Sequence, residues 1–560
     1  MRAALRRVPR AAWLWGAPLV FLAVFFFLPL GAVFRLAVES WAGGTLFNWG
    51  RVLRPLGFTF WQAGLSTLLT LAVGLPAAYV FARFEFPGKR LLRVLTTLPF
   101  ILPTVVVAAS FNALLGPRGG LNLLLMNAFG LDTPPIQVLN TLGAILLAHV
   151  FYNTTVVIRV VGSALAQLDP RLEQAARVLG ASPLRTLREV TLPLLKPALL
   201  SAALLVFLFD FTSFGVVLLL GGPRYATLEV EIYIQALQML NLPLAGLLSA
   251  VQLACTLAIS VLNSRLGGRR AVPLSPRLRG EGTRPVKTWR ERLLVGGVVF
   301  LLAALLVSPL AALGLRSVTR LEPARGERGA VQSGLTLDYY RELFVNRRGS
   351  LFYVPPIEAA RNSLAYAGTT VVISLALGAL ASAALNRPSR ANRWLEPLLL
   401  LPLGASAVTL GLGFIVVFNR PPLDARSFPL LIPIAHSLVA LPFVVRTLAP
   451  AMASIPRSLK HAAAVLGASP LRAWLEVDLP IIARAALVSA VFSFTISLGE
   501  FGATSFLARP ATPTLPVAIY RFLSQPGGLN YGQAMAMATL LLLVCALGIL
   551  VIERLGGETI

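Results

Sequence analysis

Residues 178–185 read VLGASPLR, and residues 465–472 read VLGASPLR again. The copies begin at Val178 and Val465, 287 positions apart, and an eight-residue word is too long to recur by chance. The first copy sits in LDPRLEQAARVLGASPLRTLREVTLPLLKPA and the second in SIPRSLKHAAAVLGASPLRAWLEVDLPIIARA. Each reads as helix, elbow, helix. EQAARVL and KHAAAVL are helix formers, and Gly180 or Gly467 follows where a left-handed C-terminal residue is wanted. Ser182-Pro183 and Ser469-Pro470 then supply an N-cap and a first-turn proline for a second helix. That helix is expected to run to Leu192-Pro193 and Leu479-Pro480, just ahead of an apolar run. Ala175, Ala176, Ala462 and Ala463 keep the first arm slim enough for another surface to approach. The plainer alternative is that both elbows only pack against their own surroundings.

The surrounding chain is a membrane protein. Hydrophobic residues make up 56% and charged residues 13%, about half the charge of an ordinary soluble domain, which carries roughly 25%. Apolar runs of about 20 residues, enough to cross a bilayer core, recur about twelve times. The first six lie near 12–37, 58–82, 94–116, 140–164, 197–220 and 243–265. The next six lie near 293–315, 362–386, 394–418, 428–450, 484–508 and 532–553. The formal charge of +26 does not point to nucleic acid, because the basic residues stand between the spans as the positive-inside rule requires. With the N-terminus in the cytoplasm, about two-thirds of the Lys and Arg fall in cytoplasmic segments. Both termini are then cytoplasmic, and the long segment 317–361 lies outside. The N-terminal MRAALRRVPR and the apolar stretch after it read as a retained first span, because the run is too long for a signal core and no cleavage pattern follows. Cys255 and Cys545 fall within apolar runs and support neither a disulfide nor a thiolate metal site.

The 287-residue offset extends beyond the octapeptide. It pairs His149 with His436, Arg159 with Arg446, Phe214-Gly215 with Phe501-Gly502, and TLEVEIY from Thr227 with TLPVAIY from Thr514. Two tandem six-helix halves follow, residues 1–266 and 293–560, joined by a basic, Gly- and Pro-rich cytoplasmic linker at 267–292. Six spans is an even number, so the halves share one orientation and a path is expected between them.

The elbow regions, 171–196 and 458–483, resemble the cytoplasmic loop motif of binding-protein-dependent ABC importer permeases: Glu-Ala-Ala, three residues, Gly, nine residues, Ile-x-Leu-Pro. Ala175, Ala176, Gly180, Val190, Leu192 and Pro193 match that spacing, as do Ala462, Ala463, Gly467, Val477, Leu479 and Pro480. The motif's acid is replaced by Gln174 and His461, with Glu173 next door in the first copy. The resemblance implies an all-α polytopic fold of the type I ABC permease class. It also implies ATPase-docking loops built around Ala175, Ala176, Gly180, Ala181, Ser182 and Pro183, and around Ala462, Ala463, Gly467, Ala468, Ser469 and Pro470. The implied partners are two copies of an ABC ATPase and an extracytoplasmic solute-binding protein, in a bacterial-type cytoplasmic membrane. The resemblance implies no cofactor bound by the chain itself. ATP and Mg belong to the ATPase, since the Gly-Lys at Gly88-Lys89 lacks the rest of a phosphate loop. Two halves in one chain is similar to the permeases of thiamine and iron(III) importers, and FTFWQAGLSTLL, AHVFYN, SFGVVLLLGGPRYATLEVEIYIQAL and SLGEFGATSFL carry the similarity to the thiamine type.

Asp210 and Glu500 lie at membrane depth, where an ionisable side chain is expensive and faces a partner or a watery path. The offset sets Glu500 against position 213, one helical turn from Asp210. Two acids near the axis between the halves suit a cationic cargo, so both are candidates for a translocation path. The alternative is that they pair internally or cap a break at Gly499 or Gly502. His149 and His436, one per half with no acid close by in sequence, read as packing or hydrogen-bonding residues, and no metal site is expected. Pro99 and Pro103 should kink the third span. An ion-coupled secondary carrier with two six-helix halves is the rival reading, but it has no need of paired elbows. A membrane-embedded enzyme would require a cluster of reactive groups that the sequence does not display.

Overall fold

The helices Gly50–Arg83 and Leu142–Gln167 cross at Gly74, where a Cβ would stand 2.6 Å from Val157 Cβ. In the second half Pro356–Leu385 and Leu431–Ala453 cross in the same way, at Gly378 against Val444. Only glycine lets two helix backbones approach this closely. The two crossings are one design used twice, and they extend the repeat further than the sequence offset reaches. Val444 follows Val157 by 287 positions, whereas Gly378 follows Gly74 by 304. The difference arises between the third and fourth spans, where the first half carries the helix Gly120–Phe129.

The computed structural model describes residues 10–42, 49–222, 224–268, 283–320, 334–345, 354–387, 389–421, 423–424 and 428–555. The basic N-terminus up to residue 9, the middle of the expected linker (269–282) and parts of the long 317–361 segment lie outside the described residues. Ten helices are long and apolar enough to cross a membrane, and the expected third and ninth spans complete twelve as bent pairs. Lys89–Ile101 meets the following Thr104–Phe129 segment at 114°, and Asn392–Gly404 meets Ala407–Val417 at 97°. These are breaks rather than the kink expected at Pro99 and Pro103. Leu102 and Pro103 are extended between the two helices, and neither proline nor the residue before it favours a continued helix.

The fifth and eleventh spans also differ from expectation. They run Pro183–Phe211 and Leu471–Gly499, so each starts inside the elbow and ends about nine residues early. The second elbow arm is therefore not a separate helix ahead of the span; arm and span form one rod. A π-type turn at Leu187–Thr191 and at Trp474–Asp478 makes this continuous. Pro193 and Pro480 have no N–H for the carbonyl four residues back, and the widened turn absorbs the defect. At the far end the chain breaks and restarts as the short helices Gly215–Leu220 and Gly502–Leu507.

The opening span of each half lies against the other half. Trp15, Phe21, Leu22 and Phe26 share a core with Tyr366, Leu410 and Phe414. Gly413 packs on Pro29, where a Cβ would come within 2.8 Å. Reciprocally, Val295, Val298, Leu302 and Leu306 of Trp289–Ser317 join the core around Val105–Ala109. The end of the expected linker is tied down: Phe84–Glu85 pairs in parallel with Arg284–Pro285, and the Arg284 guanidinium sits 5.0 Å from the Phe84 ring centre. Thr288 and Glu291 form a capping box that starts the seventh span at Trp289.

Candidate functional site

Both elbows fold as their local chemistry requires. The first arm, Pro170–Val178, ends with Ala181 N–H donating to Ala176 O at 3.0 Å, and Gly180 has φ +86°. Ala468 N–H donates to Ala463 O at 2.9 Å, and Gly467 has φ +78°. This six-to-one bond around a left-handed glycine is a Schellman ending. Ser182 and Ser469 each accept from the backbone N–H three residues on, at 3.3 Å. Arg185–Glu189 and Arg472–Glu476 pair along the second arms, at 3.0 Å and 2.8 Å. The bend leaves apolar knuckles in the open: Val178 and Leu179 are 87% exposed, Val465 86% and Leu466 87%.

The first elbow is anchored from behind. Glu173 receives the buried Arg83 guanidinium at 2.7 Å and the Thr191 hydroxyl at 3.1 Å. Glu173 thus binds the end of the second span, a role for the acid adjacent to the missing motif glutamate. The offset puts Lys460 and Asp478 at these two positions in the second elbow, so the acid there stands at the threonine's place.

The rods that begin at the elbows end at a shared cavity. Its volume is about 380 Å³, and its lining includes Phe100, Thr104, Tyr152, Phe209, Asp210, Phe214, Glu229, Glu500 and Phe501. Phe214 and Phe501, equivalent under the repeat, stack on each other with ring centres 5.5 Å apart. Two copies of one residue in contact mark the axis between the halves. Thr59 Oγ1 accepts from Leu228 N–H at 2.9 Å, and Ser363 Oγ accepts from Leu515 N–H at 2.8 Å, repeating the same contact on either side.

Asp210 and Glu500 both line this cavity. Their helical relation differs from expectation, because the eleventh span stops at Gly499 and Glu500 stands in the break. Glu500 accepts from Ala503 N–H at 2.8 Å, Thr504 N–H at 2.9 Å and the Thr504 hydroxyl at 2.5 Å. It caps the restart at Gly502, the alternative kept open at the sequence level. Asp210 lies in the last turn of its rod and accepts from Asn153 Nδ2 at 2.7 Å.

Each histidine is hydrogen-bonded, and each also lies beside an acid that is distant in sequence. His149 Nδ1 is 3.3 Å from Asp210 Oδ1 and 2.9 Å from Ser66 Oγ, and its Nε2 is 2.8 Å from Ser213 Oγ. His436 Nδ1 is 2.7 Å from Ser497 Oγ, while its Nε2 is 2.7 Å from Thr504 Oγ1 and 3.2 Å from Glu500 Oε2. The repeat aligns Asp210 with Ser497 and Ser213 with Glu500. The halves have therefore exchanged acid and serine on the two sides of an equivalent ring. Among the described residues no group of three or more His, Cys, Asp or Glu could hold a metal.

Sequence reasoning missed the third acid. Glu229 is fully buried, accepts from Gln252 Nε2, and accepts at 2.7 Å from Ser406 Oγ of the other half. Ser406 in turn caps Ala407–Val417. The available signal was the comparison of TLEVEIY with TLPVAIY: an acid in an apolar stretch, aligned with Pro516.

Two like halves that meet at an acid-lined cavity define a transport subunit that works at membrane depth. The family described as "Binding-protein-dependent transport system inner membrane component" matches residues 70–266 and again 374–556, and the chain belongs to that family. It is the multi-pass inner-membrane permease of an ABC importer, a kind of subunit that lacks ATPase domains and works with an ATPase and a solute-binding protein. Over 555 residues it is 29% identical to the thiamine transport system permease protein ThiP of Brucella abortus, covering 97% of this chain and 95% of that one. It is 28% identical to the Escherichia coli thiamine transport system permease protein ThiP, over 90% of this chain and 89% of that one. The putative 2-aminoethylphosphonate transport system permease protein PhnU of Salmonella paratyphi A is 29% identical over 268 residues, 46% of this chain and 92% of its own. That relative has the length of one half.

Proposed function

We propose that the chain imports a small organic cation of the thiamine type, handed over by an extracytoplasmic solute-binding protein and driven by two ATPase subunits, one under each elbow. The paired elbows carry this reading. The apolar knuckles at Val178-Leu179 and Val465-Leu466 are presented to solvent on sharply turned arms, as a surface awaiting a partner would be. Each arm continues as a rod of 29 residues, Pro183–Phe211 or Leu471–Gly499, about 43 Å long at the helical rise. A push on an elbow is thereby delivered at the cavity without a joint. In this reading the elbows and both termini are cytoplasmic, the halves are 1–266 and 293–560 with 267–292 as the tether, and ATP and Mg stay on the ATPases.

The cargo assignment rests on the cavity. Asp210, Glu229 and Glu500 contribute to its lining, no Lys or Arg among the described residues does, and five aromatic rings from Phe100, Tyr152, Phe209, Phe214 and Phe501 add to it. Rings attract a cation through their faces, and an aromatic wall suits a heteroaromatic ring cation better than bare ferric iron. The full-length relatives named thiamine permeases point the same way. The ATPase stoichiometry tests the coupling half of the proposal. Native mass measurement of the complex in a lipid nanodisc should give two ATPase subunits per chain, and a single bound subunit contradicts it.

A further inference from the structure

The three acids of the cavity are not equivalent, and their six carboxylate oxygens show why. Both oxygens of Glu500 accept backbone N–H groups from the restarting helix. Both oxygens of Glu229 accept side-chain donors, one of them the hydroxyl that caps the helix from Ala407. Two acids are thus committed to helix N-termini, where negative charge belongs. Asp210 has the opposite placement. It lies at the C-terminal end of its rod, next to Phe211 where the helix stops, and the partial charge there is already negative. Its Oδ1 takes the Asn153 amide and lies near His149, and its backbone carbonyl takes Gln62 Nε2 at 2.9 Å. Its Oδ2 is buried with no hydrogen-bond partner among the described residues. A buried, half-satisfied carboxylate at the negative end of a helix is a group arranged for an incoming positive charge.

We propose that Asp210 is the residue by which the cavity recognises the positive charge of the cargo, and that Glu500 and Glu229 are positioning residues which hold the two broken spans. This inference rests on the cation reading above and divides labour among residues that the reading left equal. The Asp210–Ser497 exchange makes recognition one-sided: the first half supplies the recognising charge, and the second has Ser497, held by His436, at the equivalent place.

The test is uptake of two cargoes by the complete transporter in liposomes. One is thiamine, and the other is an isostere with a neutral aromatic ring in place of the thiazolium. The same solute-binding protein serves every variant, so its own preference cancels when thiamine-to-isostere ratios are compared. Asp210→Asn should lower that ratio about tenfold or more, the loss of one charge-assisted contact. Glu500→Gln should lower both uptakes together and leave the ratio as in the wild type. Asp210→Glu, which keeps the charge, should restore most of the preference. An unchanged ratio in Asp210→Asn, or equal loss of both cargoes there, overturns the assignment and leaves the thiamine reading standing. A wild-type complex that takes up no thiamine overturns the reading and the inference with it.

Discussion

Replacing Gly180 and Gly467 by valine isolates the elbow from everything else in the molecule. At both positions a Cβ would meet nothing within 4 Å, while φ is +86° and +78°. The penalty is therefore conformational alone, roughly 1–2 kcal/mol for an L-residue held in the left-handed region. An elbow that can relax by straightening loses no more than that amount, so its partner's affinity falls about fivefold to thirtyfold per elbow. Titrating the ATPase onto the chain in nanodiscs resolves this as two sites. Gly180→Val should weaken one site and leave the other, Gly467→Val the reverse, and the double variant should weaken both and lose most uptake while still inserting in the membrane. Asparagine tolerates the left-handed conformation, so Gly180→Asn should stay within about threefold of wild type. Wild-type affinity in the valine variants, or equal weakening by asparagine and valine, contradicts this role for the two glycines.

Other expectations follow from contacts already described. Glu173→Ala strips the partner from the buried Arg83 and should destabilise the first elbow by about 1–3 kcal/mol, below the full cost of breaking a buried pair because Glu173 is partly solvated. Hydrogen exchange should quicken in Pro170–Val178 and stay unchanged in the second elbow. Gly74→Ala and Gly378→Ala each force a methyl against a valine and should cost about 1–3 kcal/mol, with near-additive losses in thermal stability because the crossings share no partner. Ser406→Ala removes a donor to Glu229 and the cap of Ala407–Val417 together. It should lower thermal stability by about 1–2 kcal/mol, with uptake of charged and neutral cargo reduced alike.

The elbows were legible in the sequence because their determinants are local. A glycine stop, a serine cap and a first-turn proline act within a few residues, and each occupies its expected place at Gly180, Ser182 and Pro183. Span number was legible from apolar length. What escaped was everything set by contact between distant segments. LFDFTSFGVVLLL turns apolar again directly after the short polar break that follows Phe211, so hydropathy carries the fifth span past its end. His149 and Asp210 are 61 positions apart in the sequence, and only the packing of the fourth span on the fifth brings them together. The exchange of opening spans between halves leaves no mark on helices that are apolar all round. The repeat itself faded in the sequence because the longer segment around Gly120–Phe129 changes the offset from 304 before it to 287 after it.

The proposed mechanism moves a cationic solute by ATP hydrolysed beneath two elbows. Its most direct test is thiamine uptake into liposomes that hold the chain and its ATPase, with ATP inside and the solute-binding protein outside. Uptake that requires ATP and the binding protein, and is indifferent to ionophores that collapse proton and sodium gradients, is the predicted result. Uptake that proceeds without ATP and stops when a gradient is collapsed would contradict it.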